Sequence, residues 1–376
     1  MNFGRQLVRV VLLALCVGWT AAHAATAVAD PLSGKAVRVR NVERNVLLGT
    51  AMAGSRVVAV GERGSVALSD DGGMTWRQAQ LVPVSVTLTA VRFVDAREGW
   101  AVGHSGVVLH TSDAGENWAL QLDGIKLART ALQVAQAKVR EAGPANVAAQ
   151  RELRNAQLLV DDGPDKPFFD LDFTDKLHGI VVGAYNLVYA TSDGGATWQS
   201  WSGRTENPKA LHLYAVRRQG KAIYFVGEQG LLLRSADEGQ SFTRVATPYQ
   251  GSWFSLAAPT AGSIFLVGLR GNAYHSRDDA KTWERLTGAA PVSFVSVQAI
   301  DDQTAILANQ VGQMFMADSA ATELRPMSTP PLPMLTALLV KADRSYLALT
   351  VQGVKRLPPS NASLPKPSAS ASGGAK

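Results

Sequence analysis

Cysteine is almost missing from this 376-residue chain: Cys16 is the only one, and it lies inside an apolar N-terminal run. Disulfide frameworks and cysteine metal sites are thereby excluded. Histidine is scarce as well, and the six present show no His-x-His or His-x-x-x-His pairing, so no metal centre or other cofactor is expected. Beyond residue 24 no apolar run approaches the roughly 20 residues that a membrane-spanning helix needs. No glycine-rich phosphate loop and no serine or cysteine nucleophile motif is present. Charged residues reach only 18% against 46% hydrophobic, which provides for a core and rules out wholesale disorder. The net charge of +6 is mild, with both signs interspersed, and points to no nucleic-acid partner.

The ends differ from the body. Arg5 and Arg9 precede the apolar stretch Val10 to Trp19, and Ala22-His23-Ala24 has the small-x-small form of a cleavage site. The expectation is a signal peptide over 1–24, cleaved after Ala24, and an exported, periplasmic product of charge +4 once Arg5 and Arg9 are gone. An uncleaved anchor is the alternative. A lipoprotein reading meets Leu15, where a small residue should precede the cysteine. The tail 358–376, rich in Pro, Ser, Ala and Gly, is expected to be disordered. Its Asn361-Ala362-Ser363 fits the short glycosylation pattern.

Between the ends, one pattern recurs: a strand ending in Val-Gly, a short turn, a second strand, then a box Ser/Thr-x-Asp-x-Gly-x-Thr-Trp. The best copies hold Asp71, Gly73 and Trp76; Asp113, Gly115 and Trp118; and Asp193, Gly195 and Trp198. A fourth keeps Asp237 and Gly239 but closes on Phe242, and a fifth keeps Asp278 and Trp283 with Ala280 in the glycine place. A sixth, Ala317 to Leu324, keeps only the spacing. The closing residues lie 42, 80, 44, 41 and 41 positions apart, so one interval is a period plus an insertion. A period near 42 matches one four-stranded propeller blade. The box itself is turn chemistry. The hydroxyl and the carboxylate satisfy backbone N–H groups, glycine supplies a positive φ, and the aromatic packs between sheets. A calcium loop would need more acidic positions and a terminal Glu.

The expected fold is therefore all-β, a seven-bladed β-propeller of four-stranded antiparallel blades over 25–357, with six or eight blades as alternatives because the last copies are degenerate. Val37 to Val42 is the candidate fourth strand that would complete the last blade and close the ring. The extra residues 123–160 carry helical spacing at Ile125, Leu132, Ala135 and Val139, and again at Ala149, Leu153, Ala156 and Val160, with a Gly143-Pro144 stop between. This predicts an inserted helical hairpin bearing Lys126, Arg129, Lys138, Arg140, Arg151 and Arg154 against Glu141 and Glu152. Two readings stand: a solvated polar face, or a basic arm for a partner.

Blade topology puts that insert on the rim that also carries the turns after each Val-Gly. Those turns read Glu62-Arg63, His104-Ser105, Tyr185-Asn186, Glu228-Gln229, Leu269-Arg270 and Gln310-Val311, and they are expected to ring the central channel. Arg63, His104, Tyr185, Asn186, Glu228, Gln229 and Arg270, with Arg129, Arg140, Arg151 and Arg154, form the candidate partner-binding set. Each is equally an ordinary polar turn or helix residue. Arg217-Arg218 are a further basic pair.

The run Gly99-Trp-Ala-Val-Gly103, then Val108-Leu-His-Thr-Ser-Asp113-x-Gly115 to Trp118, closely resembles the photosystem II stability/assembly factor-like family of BNR-repeat propellers. The resemblance covers about residues 36–357 apart from the insert, and it is weakest in the last two blades. It implies an exported, non-catalytic, seven-bladed propeller that binds a membrane or envelope protein complex and helps it assemble. In photosynthetic members an arginine patch engages the partner, and no position here is matched to it. For relatives in non-photosynthetic bacteria, transporters of the RND type are one candidate partner. The insert departs from the compact family pattern and speaks against a photosystem role. The rival class is a sialidase-like glycosidase, because sialidases share Asp boxes on a propeller. It lacks the Arg-Ile-Pro entry motif, and Tyr185, Glu228 and Arg270 have no distinctive spacing. A glycan-binding propeller using Trp201 or Trp253 is a third reading.

Overall fold

A computed structural model describes residues 30–359, so the signal segment 1–24 and nearly all of the tail 358–376 lie outside the described residues. Seven antiparallel sheets are arranged as blades around a channel, which bears out the seven-bladed propeller. The first blade shows the common plan: β1 (Leu47–Ala53) innermost, then β2 (Arg56–Gly61), β3 (Val66–Ser69) and a short outer β4 (Arg77–Gln78). Second strands such as Gly99–Gly103, Gly179–Gly183 and Ile264–Gly268 are buried along their whole length. Sheets cover both of their faces, which is why they read as unbroken apolar runs and not as alternating ones.

The boxes work as anticipated. Asp71 accepts from the backbone N–H of Met74 and Thr75 and from the Thr75 hydroxyl, and the Ser69 hydroxyl accepts from Gly73 N. Each closing aromatic enters the seam with the preceding blade. Trp118 is buried with Val58 and Leu68 of the first blade, and Phe242 with Val188 and Leu233 across the next seam but one. Ala280 holds a φ of 65° in the fifth box, so the turn survives loss of its glycine by adopting a backbone that L-residues resist.

One expectation needs correction. The seventh sheet has three strands, Leu335–Val340, Tyr346–Thr350 and Gly353–Leu357, and Val37 to Val42 does not supply a fourth. The donors of that segment are committed to the first blade: Ala36 N to Val82 O, Val37 N to Arg63 O, and Val39 N to Gln78 Oε1. The ring closes by packing instead. Trp76 meets Leu339 and Leu347, Val42 meets Leu349, and Lys341 Nζ donates to Gly72 O.

The insert is the helical hairpin expected. It forms α1 (Gly124–Ala142) and α2 (Val147–Asp162), capped by the side chains of Asp123 and Asn146. Its buried face is Leu127, Ala128, Ala135, Ala149 and Ala156, whereas Ile125 and Val160 are exposed. Leu127 is buried because it packs into the blade cluster of Val102, Phe168 and Leu187 at the base of the hairpin.

Candidate docking face

In all seven blades the innermost strand slips register by one residue just after its first pair. A bulge of this kind turns one side chain out of the ladder. The residues released are Leu48, Thr89, Phe169, Tyr214, Phe254, Val295 and Thr336, and all seven line the channel. The channel is therefore ringed by bulged inner-strand residues and not by the Val-Gly turns, which lie further out. Phe169, Tyr214 and Phe254 form an aromatic arc with neighbouring centroids 5.5 Å apart, extended through His212 to Tyr185. These half-buried aromatics escaped the sequence reading. Aligning the first residues of each inner strand would have found them.

The turns outside the arc share one backbone and differ in side chain. Arg63, Ser105, Tyr185, Gln229 and Arg270 all hold φ between 51° and 57°, each followed by a second residue at positive φ. Such tight turns favour Asn-Gly, and a larger L-residue in the left-handed region costs about 1–2 kcal/mol. Local contacts hold the geometry: Tyr185 N donates to His212 Nδ1, and Arg270 N to Ser293 Oγ. Arg63, His104, Tyr185, Gln229 and Arg270 are exposed. Asn186 is buried and bonded to Ser202, Thr205 and Asn207, so its amide has no reach to a partner. Glu228 accepts from His212 N at 2.9 Å, and burial together with the Glu228 charge pushes the Tyr214 hydroxyl above its ordinary pKa. Both Asn186 and Glu228 are scaffolding for this face.

The hairpin rises between two of these turns. Gly124 packs directly on the 104–106 turn, where a β-carbon would lie 3.0 Å from Ser105 O, and Lys166 lies over the Tyr185 ring at 5.8 Å. On α2, Val147, Arg151, Arg154 and Leu158 follow a spacing of four, three and four, which places them along one stripe opposite buried Ala149 and Ala156. Val147 is 78% and Leu158 57% exposed. Arg129 and Arg140 on α1 are exposed too, and among the described residues none of the four hairpin arginines has an ion-pair partner, whereas Lys138 is tied to Glu152.

Charges deeper in the channel lie at its other end. Asp170 accepts from Val216 N and pairs with Arg217, and Asp172 accepts from Arg218 N. Burial pushes the Asp172 carboxyl up, while the like charge of Arg217 pulls Arg92 down. The two aspartates thus tie the inner strands of blades three and four together. Arg217 belongs to that network through its side chain and Arg218 through its backbone N–H alone, away from the hairpin. Trp253 is fully buried between blades, which removes it as a glycan platform. Tyr185, Glu228 and Arg270 stand on three separate blades; the first two meet at His212, whereas Arg270 is bonded to Ser293 instead.

A ring of radial sheets fastened by Asp boxes, with variable turns at one end, defines the class: an Asp-box β-propeller. Residues 40–142 and 145–283 match the family model described as photosynthesis system II assembly factor YCF48, and the chain belongs to that family. A photosystem II assembly lipoprotein Ycf48 of Synechococcus sp. (strain CC9902) is 32% identical over 117 residues, 31% of this chain and 35% of that protein. The namesake from Parasynechococcus marenigrum (strain WH8102) is 28% identical over 148 residues, 39% of this chain and 44% of that one. The chain thus spans less than half the length of these relatives. Among solved structures, a YCF48 bound to D1 peptide superposes with a TM-score of 0.61 at 16% identity, over 86% of this chain and 98% of that one, a likeness of fold.

Proposed function

We propose that this protein is an exported, non-catalytic binding factor that helps a membrane or envelope protein complex assemble. The turn end of the ring and the inserted hairpin form its docking face. The family and the names of its relatives support the assembly role, and the relatives' designation as lipoproteins supports export. The YCF48 bound to D1 peptide speaks for a polypeptide partner. The observation that carries the choice of face is the outward stripe of α2: exposed Val147 and Leu158 interleaved with unpaired Arg151 and Arg154, beside the aromatic channel mouth. An apolar and cationic strip suits a partner surface that is apolar and acidic. A transporter of the RND type is one complex that fits.

Excising the hairpin tests this. A β-carbon on Gly124 would lie 2.8 Å from Pro164 Cα, so the two ends of the insert already meet and a short link can replace it. The shortened protein should keep its strand signal and thermal transition yet lose its partner in crosslinking pull-downs from the native envelope. Undiminished recovery would count against the assignment of this face.

A further inference from the structure

The seams on either side of blade four are built differently. Between blades four and five, Arg234 reaches across to Asp279 beside the fifth box, with Nε 2.8 Å from Oδ1, and the Tyr224 hydroxyl donates to the same carboxylate. Tyr224 and Arg234 are cross-strand partners in blade four, and Ile180 and Ala190 are the matching partners in blade three. Glu238, next to the fourth box aspartate, matches Asp279. Ile180 and Ala190 are too short to reach a charged partner, so the seam between blades three and four, packed by Phe242 further in, has no such bridge at the box end. A cavity of about 350 Å³ results at the box end, walled by Trp201, Arg218, Thr174, Thr197, Gln199 and His178.

The charges in this cleft are unevenly served. Glu238 is paired with Lys221 at 3.3 Å, and His178 with Asp175 at 2.9 Å. The Arg218 guanidinium feels the charges of Asp172, Asp175 and Glu238, yet among the described residues none of them forms an ion pair or hydrogen bond with it, and its Nε is enclosed without an acceptor. Buried polar groups are normally satisfied, and a planar carboxylate is the natural complement of a guanidinium. Trp201, which carries the Arg204 guanidinium 4.6 Å from its ring centroid and packs on Gly239, adds an aromatic edge, and Gln199 adds an exposed amide. The hydroxyls of Thr174 and Thr197, which donate to Asp175 and Asp193, can still accept. The volume sits at the small end of ligand cavities, about 300–1,000 Å³, which suits one ring and not a chain of them.

We infer that this cleft binds a sugar acid of monosaccharide size, with its carboxylate on Arg218, its ring against Trp201 and its hydroxyls on the threonine and glutamine side chains. The site is separate from the docking face, at the opposite end of the ring, and no bond is made or broken in it.

Calorimetric titration of the intact protein with D-glucuronate and N-acetylneuraminate is the test, with glucose and an acidic peptide as comparisons. Saturable binding of at least one acid, and none of glucose, is expected. Arg218→Met should weaken it roughly tenfold or more, the loss of a charge-assisted hydrogen bond. Ala190→Arg, which copies blade four and can reach Glu238, should fill the cleft and abolish binding without lowering the melting temperature. Ala190→Leu, which copies Leu68 of the first blade, does the same if the arginine variant fails to fold. Absence of binding by both acids at millimolar concentrations, equal binding of glucose, or binding of the peptide alone would each overturn the inference.

Discussion

At the box end of the ring, five successive blades repeat the same box hydrogen bonds; at the turn end they repeat only the backbone. Asp71, Asp113, Asp193, Asp237 and Asp278 all accept from the same pair of places, the hydroxyl two residues back and the backbone N–H four residues on. Five turns at the other end hold one left-handed geometry with five different neighbourhoods: Arg63, Ser105, Tyr185, Gln229 and Arg270. The difference teaches where to look for recognition. The box aspartates spend their acceptors within their own turn, which leaves them little for a partner. A side chain placed outward on a backbone that disfavours it is not there for the sake of the fold.

The contrast can be broken most sharply at a box aromatic. Trp118→Ala, which empties a buried place between the first two blades, should cost about 3–5 kcal/mol in chemical denaturation. Acid should act next, and with opposite signs in two places. Hydrogen bonds from Thr197 and Thr282 hold the carboxyls of Asp193 and Asp278 down at about 2, below their ordinary 3.8. The stability they supply is complete above pH 3.8 and is lost as the pH falls through about 2. Asp172 is raised by burial, so its protonation favours the fold as pH drops toward 3.8, and Asp172→Asn should leave neutral-pH melting unchanged or higher while Asp193→Asn lowers it. At the turn end, Arg270→Gly relieves a φ of 57° and should raise stability by up to about 1 kcal/mol. The same change should weaken partner recovery. Smallest in stability is the pair Arg151→Glu and Arg154→Glu on α2, expected within about 0.5 kcal/mol of the parent because both are exposed and unpaired. Their effect belongs in pull-down yield, where it should fade at high salt.

Much of the fold was legible because its determinants are local. Box hydroxyl, aspartate, glycine and aromatic lie within eight residues, and every contact that explains them, apart from the aromatic's, is made inside that window. The hairpin was legible for the same reason, through its period and its Gly143-Pro144 break. Its spacing did not say which residues are buried, because Leu127 answers to Phe168 and Leu187 of the blades below while Ile125 is exposed. The closing strand failed likewise: Val37 to Val42 alternates like a strand, but its donors find Arg63, Gln78 and Val82 first. Of the candidate site, the exposed turn residues and the hairpin arginines could be named in advance. Asn186 and Glu228 could not be told from them, since what occupies them lies 16 or more positions away in the chain.

The sequence by itself determined the repeat and the place of the insert, because periodicity and turn residues act over short range. Only the tertiary structure decided how the ring closes, which aromatics face the channel, and which seam lacks a charged bridge. Each of those depends on side chains from different blades meeting across a gap: Trp76 on Leu347, Phe169 beside Tyr214, Ala190 falling short where Arg234 reaches. A gap has no signature along the chain; it exists only between residues that folding brings face to face.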